Sequence, residues 1–455
     1  MYVAKLRIDG VRGFRGPRSV DLDFTRPDGS HAGWTVLAGR NGSGKTTLLR
    51  AVALCLMGPP RAPQLEESPE GWLPEDQDTG HVSVDVLRDP IWDISDSDEI
   101  RHPVSLDWLT EPLPVAPQDE ALFPPPARRR LVSGGFKGTP EIESALWRGD
   151  PYPGWFVAAY GPFRRLSGGD DEQPPQRVAA VRTLFHEKAA LSEAVSWLTR
   201  LHLARLEKRE GAADLIDATF ELLRDGLLPD GYQAGHIDSE GLWLRNEKTG
   251  QTAPLQQMSD GYRTVVALVL DIVRRMFETY RYFAPFDIAH QNDVPTLRQP
   301  GIVLIDEVEA HLHVSWQQRI GPWLKSHFPN VQFLVTTHSP YICQAADENG
   351  LIRMPGPAEE VPPAAVSPDL YRRVVYGTGD DSAVSELFGL DSPYSESARE
   401  LRRQLVELES AVVRGQATAA ELERLRALKR TLSSSPVTRV DEISARLLAA
   451  PAPEE

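Results

Sequence analysis

An α/β fold built around a parallel sheet is predicted by three apolar runs and the helical patterns between them. Trp34-Thr35-Val36-Leu37-Ala38, Ile302-Val303-Leu304-Ile305 and Val331-Gln332-Phe333-Leu334-Val335-Thr336-Thr337 lack the alternation of a half-exposed strand, so each suits a strand buried on both faces. Helical spacing follows the first run through Leu48, Leu49, Val52, Ala53 and Leu56, and returns at Val265, Leu268, Val269, Ile272, Val273 and Met276. In open sheets of this kind ligands bind beyond the carboxyl ends of the strands, and polar residues gather there in this chain.

Gly39-Arg40-Asn41-Gly42-Ser43-Gly44-Lys45-Thr46, followed by Thr47, joins the first strand to its helix and fits the phosphate-loop pattern G-x-x-x-x-G-K-[ST]. A triphosphate needs several backbone N–H groups aimed into one small cavity, and glycines at 39, 42 and 44 let the backbone turn and come close. The helix start adds unpaired N–H groups and its dipole. Lys45 adds a point charge for the β- and γ-phosphates, and Thr46 offers a hydroxyl to Mg²⁺. The expected cofactor is therefore Mg²⁺ with ATP.

The second strand ends in Asp306 and Glu307. Beside a phosphate loop, Asp306 is expected to hold Mg²⁺ and Glu307 to act as the general base on the attacking water. His338 stands just past the third strand, where an imidazole would reach the γ-phosphate. Glu307, His338 and Lys45 are thus the expected catalytic residues. Earlier, Leu242 to Arg245 and Gln251 to Leu255 flank Asn246 to Gly250 as a hairpin, which delivers Ser259-Asp260-Gly261 to the start of a long helix. A hydroxyl, an acid and a glycine there make a second anion cradle, although a plain helix cap explains Ser259 equally well.

On A-G-R-N-G-S-G-K-T-T, M-S-D-G-Y-R-T, I-V-L-I-D-E-V-E-A-H-L-H and T-T-H-S-P, the chain resembles the ABC-type, AAA-family ATPases of the SMC and RecF kind, including those of bacterial anti-phage systems such as Septu and the retron-linked ATPases. The resemblance implies a P-loop NTPase head with an N-terminal antiparallel β layer, begun here by Ala4 to Ile8. It also implies that two heads clasp two ATP molecules, so that Ser259, Asp260 and Gly261 act in trans. Expected partners are a second copy of the chain or a higher assembly, a separate effector such as a nuclease, and DNA or RNA. Nucleic-acid maintenance or anti-phage defence is the implied work. Two departures point away from transporter subunits: Asp260 replaces a signature glycine, and His311-Leu312-His313 replaces an Ala-Leu-Asp loop. No glutamine can be assigned at the end of the strand Trp155 to Tyr160, which runs into Gly161-Pro162-Phe163-Arg164-Arg165.

The 455 residues carry a net charge of −16 and only two cysteines, so neither a global nucleic-acid surface nor a disulfide framework is indicated. Arg128-Arg129-Arg130 with Lys137, and Arg164-Arg165, read first as solvated loops and second as phosphate-contacting patches. No apolar run reaches membrane-spanning length, and the expected location is cytoplasmic without a membrane partner. The expected divisions are an N-terminal lobe over 1–58, a Pro-rich acidic insertion over 59–154, the remainder of the head over 155–394, and a C-terminal helical hairpin with its tail over 395–455. The insertion reads as irregular, with one strand at His81 to Leu87. The hairpin follows from stripes at Leu401, Leu405, Leu408 and Val412 and at Leu422, Leu425, Leu428 and Leu432, with a capping box from Thr418 to Glu421. A transporter ATPase subunit and a nucleotide-dependent scaffold with little turnover stand as alternatives.

Overall fold

The computed structural model describes residues 1–66, 71–93, 100–112, 127–136, 143, 147, 154–164, 175–280, 289–291 and 294–432. Its central sheet runs in the order Ala364–Ala365, Leu351–Arg353, Gly33–Ala38, Val331–Thr337, Gly301–Ile305, Val157–Tyr160. Every pairing is parallel except the first. The three apolar runs are adjacent strands, and two of them are buried at every residue. Register brings Ile305 beside Val335 and Tyr160, and Ala38 beside Thr337, so the phosphate loop, the paired acids and His338 leave the sheet at one edge.

Alternation along these strands divides the core. Leu37, Ile302, Leu304 and Leu334 face the helix Lys45–Met57 and a five-stranded antiparallel sheet. Val36, Val303, Ile305, Phe333 and Val335 face the helix Asp260–Tyr280 and the elements around it. Burial of both faces is why these sequences are apolar throughout rather than at every second residue.

The antiparallel sheet has the order Val20–Asp23, Tyr2–Asp9, Thr79–Leu87, Arg101–Pro112, Ala127–Phe136. The proline-rich stretch therefore supplies three strands where one was expected. Val82, Val84 and Val86 do line one buried face, and Val104, Leu106 and Trp108 of the next strand extend it. Pro103 hid that second strand. It lies one residue outside the segment that pairs with Ala127–Phe136, which begins at Val104, so a ladder runs on only one side of it and a missing N–H is tolerated. Glu67, Glu70, Lys137 and Arg165 lie outside the described residues, as do the side chains of Arg128, Arg129 and Arg130.

The expected hairpin forms from Gly241–Asn246 and Thr252–Pro254, with Tyr232–Asp238 as a third strand. The chain divides into two compact units, Met1–Gly389 and Leu390–Glu455. Within the second, helices Glu396–Val413 and Ala419–Thr431 bury Leu405, Leu425 and Leu428, and Thr418 and Glu421 make the capping box. Among the described residues no helix is long and apolar enough to cross a membrane.

Candidate functional site

At the phosphate loop the backbone does what the pattern requires. Gly44 sits at φ 93°, in the left-handed region, immediately before the helix Lys45–Met57. A β-carbon at that position would stand 2.5 Å from Phe14 Cζ, so both conformation and space demand glycine. The Lys45 ammonium donates to Gly39 O at 2.8 Å and Arg40 O at 3.0 Å. Burial pushes its pKa down to about 8, against the pull of Asp306, Glu307 and Glu309. Ser43 is buried, whereas Asn41 and Gly42 are exposed at the loop's rim. Two of the expected loop residues turn outward: Arg40 donates to Phe388 O and Gly389 O, and Thr47 accepts from Arg12.

The paired acids reach this loop. Thr46 Oγ1 donates to Asp306 Oδ2 at 2.8 Å, across 260 residues of chain. The other carboxylate oxygen accepts from Thr336 Oγ1 at 2.5 Å, and that same hydroxyl accepts from Glu307 N at 2.8 Å. Asp306 is thereby fixed from the start of the helix Lys45–Met57 and from the neighbouring strand Val331–Thr337. Glu307, the next residue, has φ 44° and is only half-buried. Desolvation raises its pKa, and the adjacent carboxylates of Asp306 and Glu309 raise it further. His338 is shifted the other way, first by desolvation and then by the Lys45 charge, which favours its neutral form.

Three residues not foreseen as part of the site hold its pieces together. Glu309 accepts from Thr337 Oγ1 at 2.8 Å and from the backbone N–H of His338, so the acid-bearing turn and the histidine are joined. Thr336 makes the two bonds just described. Arg164, read from sequence as a solvated loop residue, is instead 3% exposed, and it donates to Gly161 O, Asp306 O, Glu307 O, Val308 O and Ala310 O. Burial pushes its pKa down to about 10, opposed by Glu309, Asp306 and Glu307. The available signals were slight: a second acid two residues after Glu307, a polar pair closing an apolar strand, and a basic pair just beyond a buried one.

Ser259, Asp260 and Gly261 make their contacts elsewhere. Ser259 and Asp260 are exposed at the start of the helix, and Asp260 is paired with Arg263. Gly261 is closed in by His311 O and the Trp316 ring, which leave no room for a β-carbon. His311 and His313 are exposed, and among the described residues no group of three or more His, Cys, Asp or Glu could hold a metal. Mg²⁺ bound through nucleotide needs only one or two protein oxygens. The Thr46 hydroxyl and Asp306 carboxylate, already in contact, are a fitting pair of donors.

Two matches to AAA domains cover the stretches that carry the phosphate loop and the paired acids. Residues 160–344 match the family described as "AAA domain, putative AbiEii toxin, Type IV TA system", and residues 5–84 match one described as "AAA domain". The chain is 27% identical over 333 residues to the Septu protein PtuA of Bacillus mycoides (strain KBAB4), covering 72% of this chain and 37% of that protein. Against the Retron Ec83 "probable ATPase" of Escherichia coli it is 41% identical over 105 residues, covering 23% of this chain and 18% of the relative. The chain thus spans well under half the length of these relatives. Among solved structures it is similar to an SMC head bound to the C-winged helix domain of ScpA, at 16% identity and a TM-score of 0.45, covering 81% of this chain and 99% of the other.

Proposed function

We propose that this chain, which carries an AAA-family ATPase domain of the SMC/RecF kind, binds and hydrolyses ATP and uses the cycle as a conformational switch. The observation that carries the reading is the contact between Thr46 and Asp306, which joins phosphate loop and acid strand into one site. Thr46 and Asp306 would hold Mg²⁺, which would supply charge that neutralises the phosphates. The loop N–H groups and Lys45 would bind the phosphates. Glu307 would take a proton from the water whose oxygen bonds to the γ-phosphorus as the bond to the β-phosphate oxygen breaks, leaving ADP and phosphate. Its raised pKa makes it a better base than an ordinary carboxylate. A neutral His338 would donate to the γ-phosphate.

The exposure of Ser259 and Asp260 supports a further step, in which the signature of one copy closes the phosphate site of another and ATP holds the dimer together. By the resemblance to Septu and retron ATPases, the switch would regulate a separate effector such as a nuclease in anti-phage defence. The test is turnover and mass in solution for wild type and Glu307→Gln. Hydrolysis should fall to a slow residual rate and a Mg-ATP-bound dimer should accumulate. A scaffold would show little change in either property, and a chain that stays monomeric in saturating Mg-ATP, with Ser259→Ala at full turnover, would remove the dimer.

A further inference from the structure

The turn carrying both acids is shaped by a side chain from another part of the sequence. Asp306 to Ala310 form a continuous turn after the strand. Within it Glu307 adopts φ 44°, a left-handed conformation that a side-chain-bearing residue keeps only where its surroundings impose it. The carbonyls of Asp306, Glu307, Val308 and Ala310 all converge on one buried guanidinium. Arg164 Nη1 donates to Asp306 O at 3.1 Å and to Gly161 O at 3.2 Å. Its Nη2 donates to Glu307 O at 3.3 Å, Val308 O at 3.2 Å and Ala310 O at 3.3 Å.

Burying a cation against neutral carbonyls is costly, so a fold gains little by doing it for packing alone. Here the cost is only partly offset by the nearby charges of Glu309, Asp306 and Glu307. Two terminal nitrogens with four N–H groups between them serve five oxygens, so one N–H is shared, while the buried Nε has no partner. A lysine offers three donors from one point and cannot span them. Arg164 also stands four residues after Tyr160, whose carbonyl accepts from Asp306 N at 2.8 Å. The acid-bearing turn is therefore anchored to this one segment at both its start and its middle.

We propose that Arg164 is a positioning residue for hydrolysis: by gathering the turn's carbonyls it sets the direction in which the Glu307 carboxylate points at the attacking water. The inference rests on the reading of Glu307 as general base. It assigns Arg164 no contact with nucleotide and no proton to carry.

The experiment is a double-mutant cycle in the full chain with Arg164→Gln, Arg164→Lys, Glu307→Gln and the Arg164→Gln/Glu307→Gln pair, reading single-turnover hydrolysis, ATP affinity and melting temperature. Arg164→Gln should slow hydrolysis on the order of a hundredfold, because a general base displaced by an ångström loses about that much. ATP affinity should stay within about threefold, since the loop contacts are untouched, and Arg164→Lys should fall between Gln and wild type. In the Glu307→Gln background, Arg164→Gln should slow hydrolysis no further, because its effect passes through the missing carboxylate. Additive losses, a parallel loss of ATP affinity, or full turnover by a folded Arg164→Gln chain would overturn the proposal alone. Failure of both Arg164 variants to fold would assign the residue to stability and overturn it equally. Hydrolysis that continues near the wild-type rate in Glu307→Gln would instead remove the general-base reading, and Arg164's role with it.

Discussion

Replacing Thr336 with valine keeps the shape of a fully buried side chain and removes one hydroxyl. That hydroxyl donates to Asp306 Oδ1 at 2.5 Å and accepts from Glu307 N at 2.8 Å, so two groups lose a partner at once. A hydrogen bond to a charged group contributes about 1.5–3 kcal/mol, and leaving a buried N–H unsatisfied costs about 1–3 kcal/mol. Glu307 N lies in a part-buried position where water can partly replace the bond, so the lower half of the combined range applies. We expect Thr336→Val to destabilise the unit Met1–Gly389 by about 3 kcal/mol. Thr336→Ser is the control: it keeps the hydroxyl and loses only a buried methyl, at about 1 kcal/mol. Denaturant unfolding followed by tryptophan fluorescence reads the difference as a shift in midpoint at unchanged slope. If Thr336→Val unfolds no earlier than Thr336→Ser, the hydroxyl does not lock the acids and the argument for their rigidity is wrong.

Lys45 yields a pH dependence whose sign follows from burial. Its ammonium titrates near 10.5 when unfolded and near 8 in the fold, so below pH 8 the folded chain bears the full cost of a desolvated charge, and that cost is relieved as pH rises from 8 towards 10.5. Lys45→Met should therefore raise the melting temperature at neutral pH while abolishing ATP binding. In wild type, phosphates favour the ammonium, so affinity should be flat below pH 8 and weaken by up to about tenfold per unit above it. Calorimetry in two buffers of different ionisation enthalpy should detect proton uptake on the alkaline side, and affinity unchanged from neutral to alkaline pH would exclude Lys45 as the titrating group. Within the core, Asp271 accepts from Tyr160 OH at 3.0 Å and from Arg275 Nε at 2.6 Å, with Arg274 Nε at 3.4 Å. Tyr160→Phe should cost about 1–1.5 kcal/mol, whereas Asp271→Ala should cost about 3–5 kcal/mol by leaving the buried Arg275 guanidinium without its carboxylate. The reverse order in unfolding experiments would show that the cluster is not held by its carboxylate.

What sequence revealed and what it hid divide along a physical line. Gly44 and Lys45 act through their own backbone and their immediate neighbours, so their roles survive as consecutive letters. The same holds for the central strands, where burial on both faces leaves an unbroken apolar run, and for Thr418 and Glu421, whose capping box closes over three residues. Arg164, Thr336 and Glu309 act across space, and no local pattern separates a guanidinium buried against carbonyls from one in solvent. For that reason the sequence alone reads Arg164 and Arg165 first as a solvated loop and second as a phosphate-contacting patch. Register removes the ambiguity. Once Val157–Tyr160 is known to lie beside Gly301–Ile305, residues just past the end of one strand must meet residues just past the end of the other. Arg164 is four residues beyond Tyr160, and Asp306 is one beyond Ile305. A cation delivered to a water-poor edge that already holds Asp306, Glu307 and Glu309 has opposite charge on hand, and the open carbonyls of a tight turn give its N–H groups acceptors. Neighbouring strands, more than neighbouring residues, therefore decide which basic side chain beyond a strand end turns inward, and a reader who has the strand order can look for such a residue before seeing its contacts.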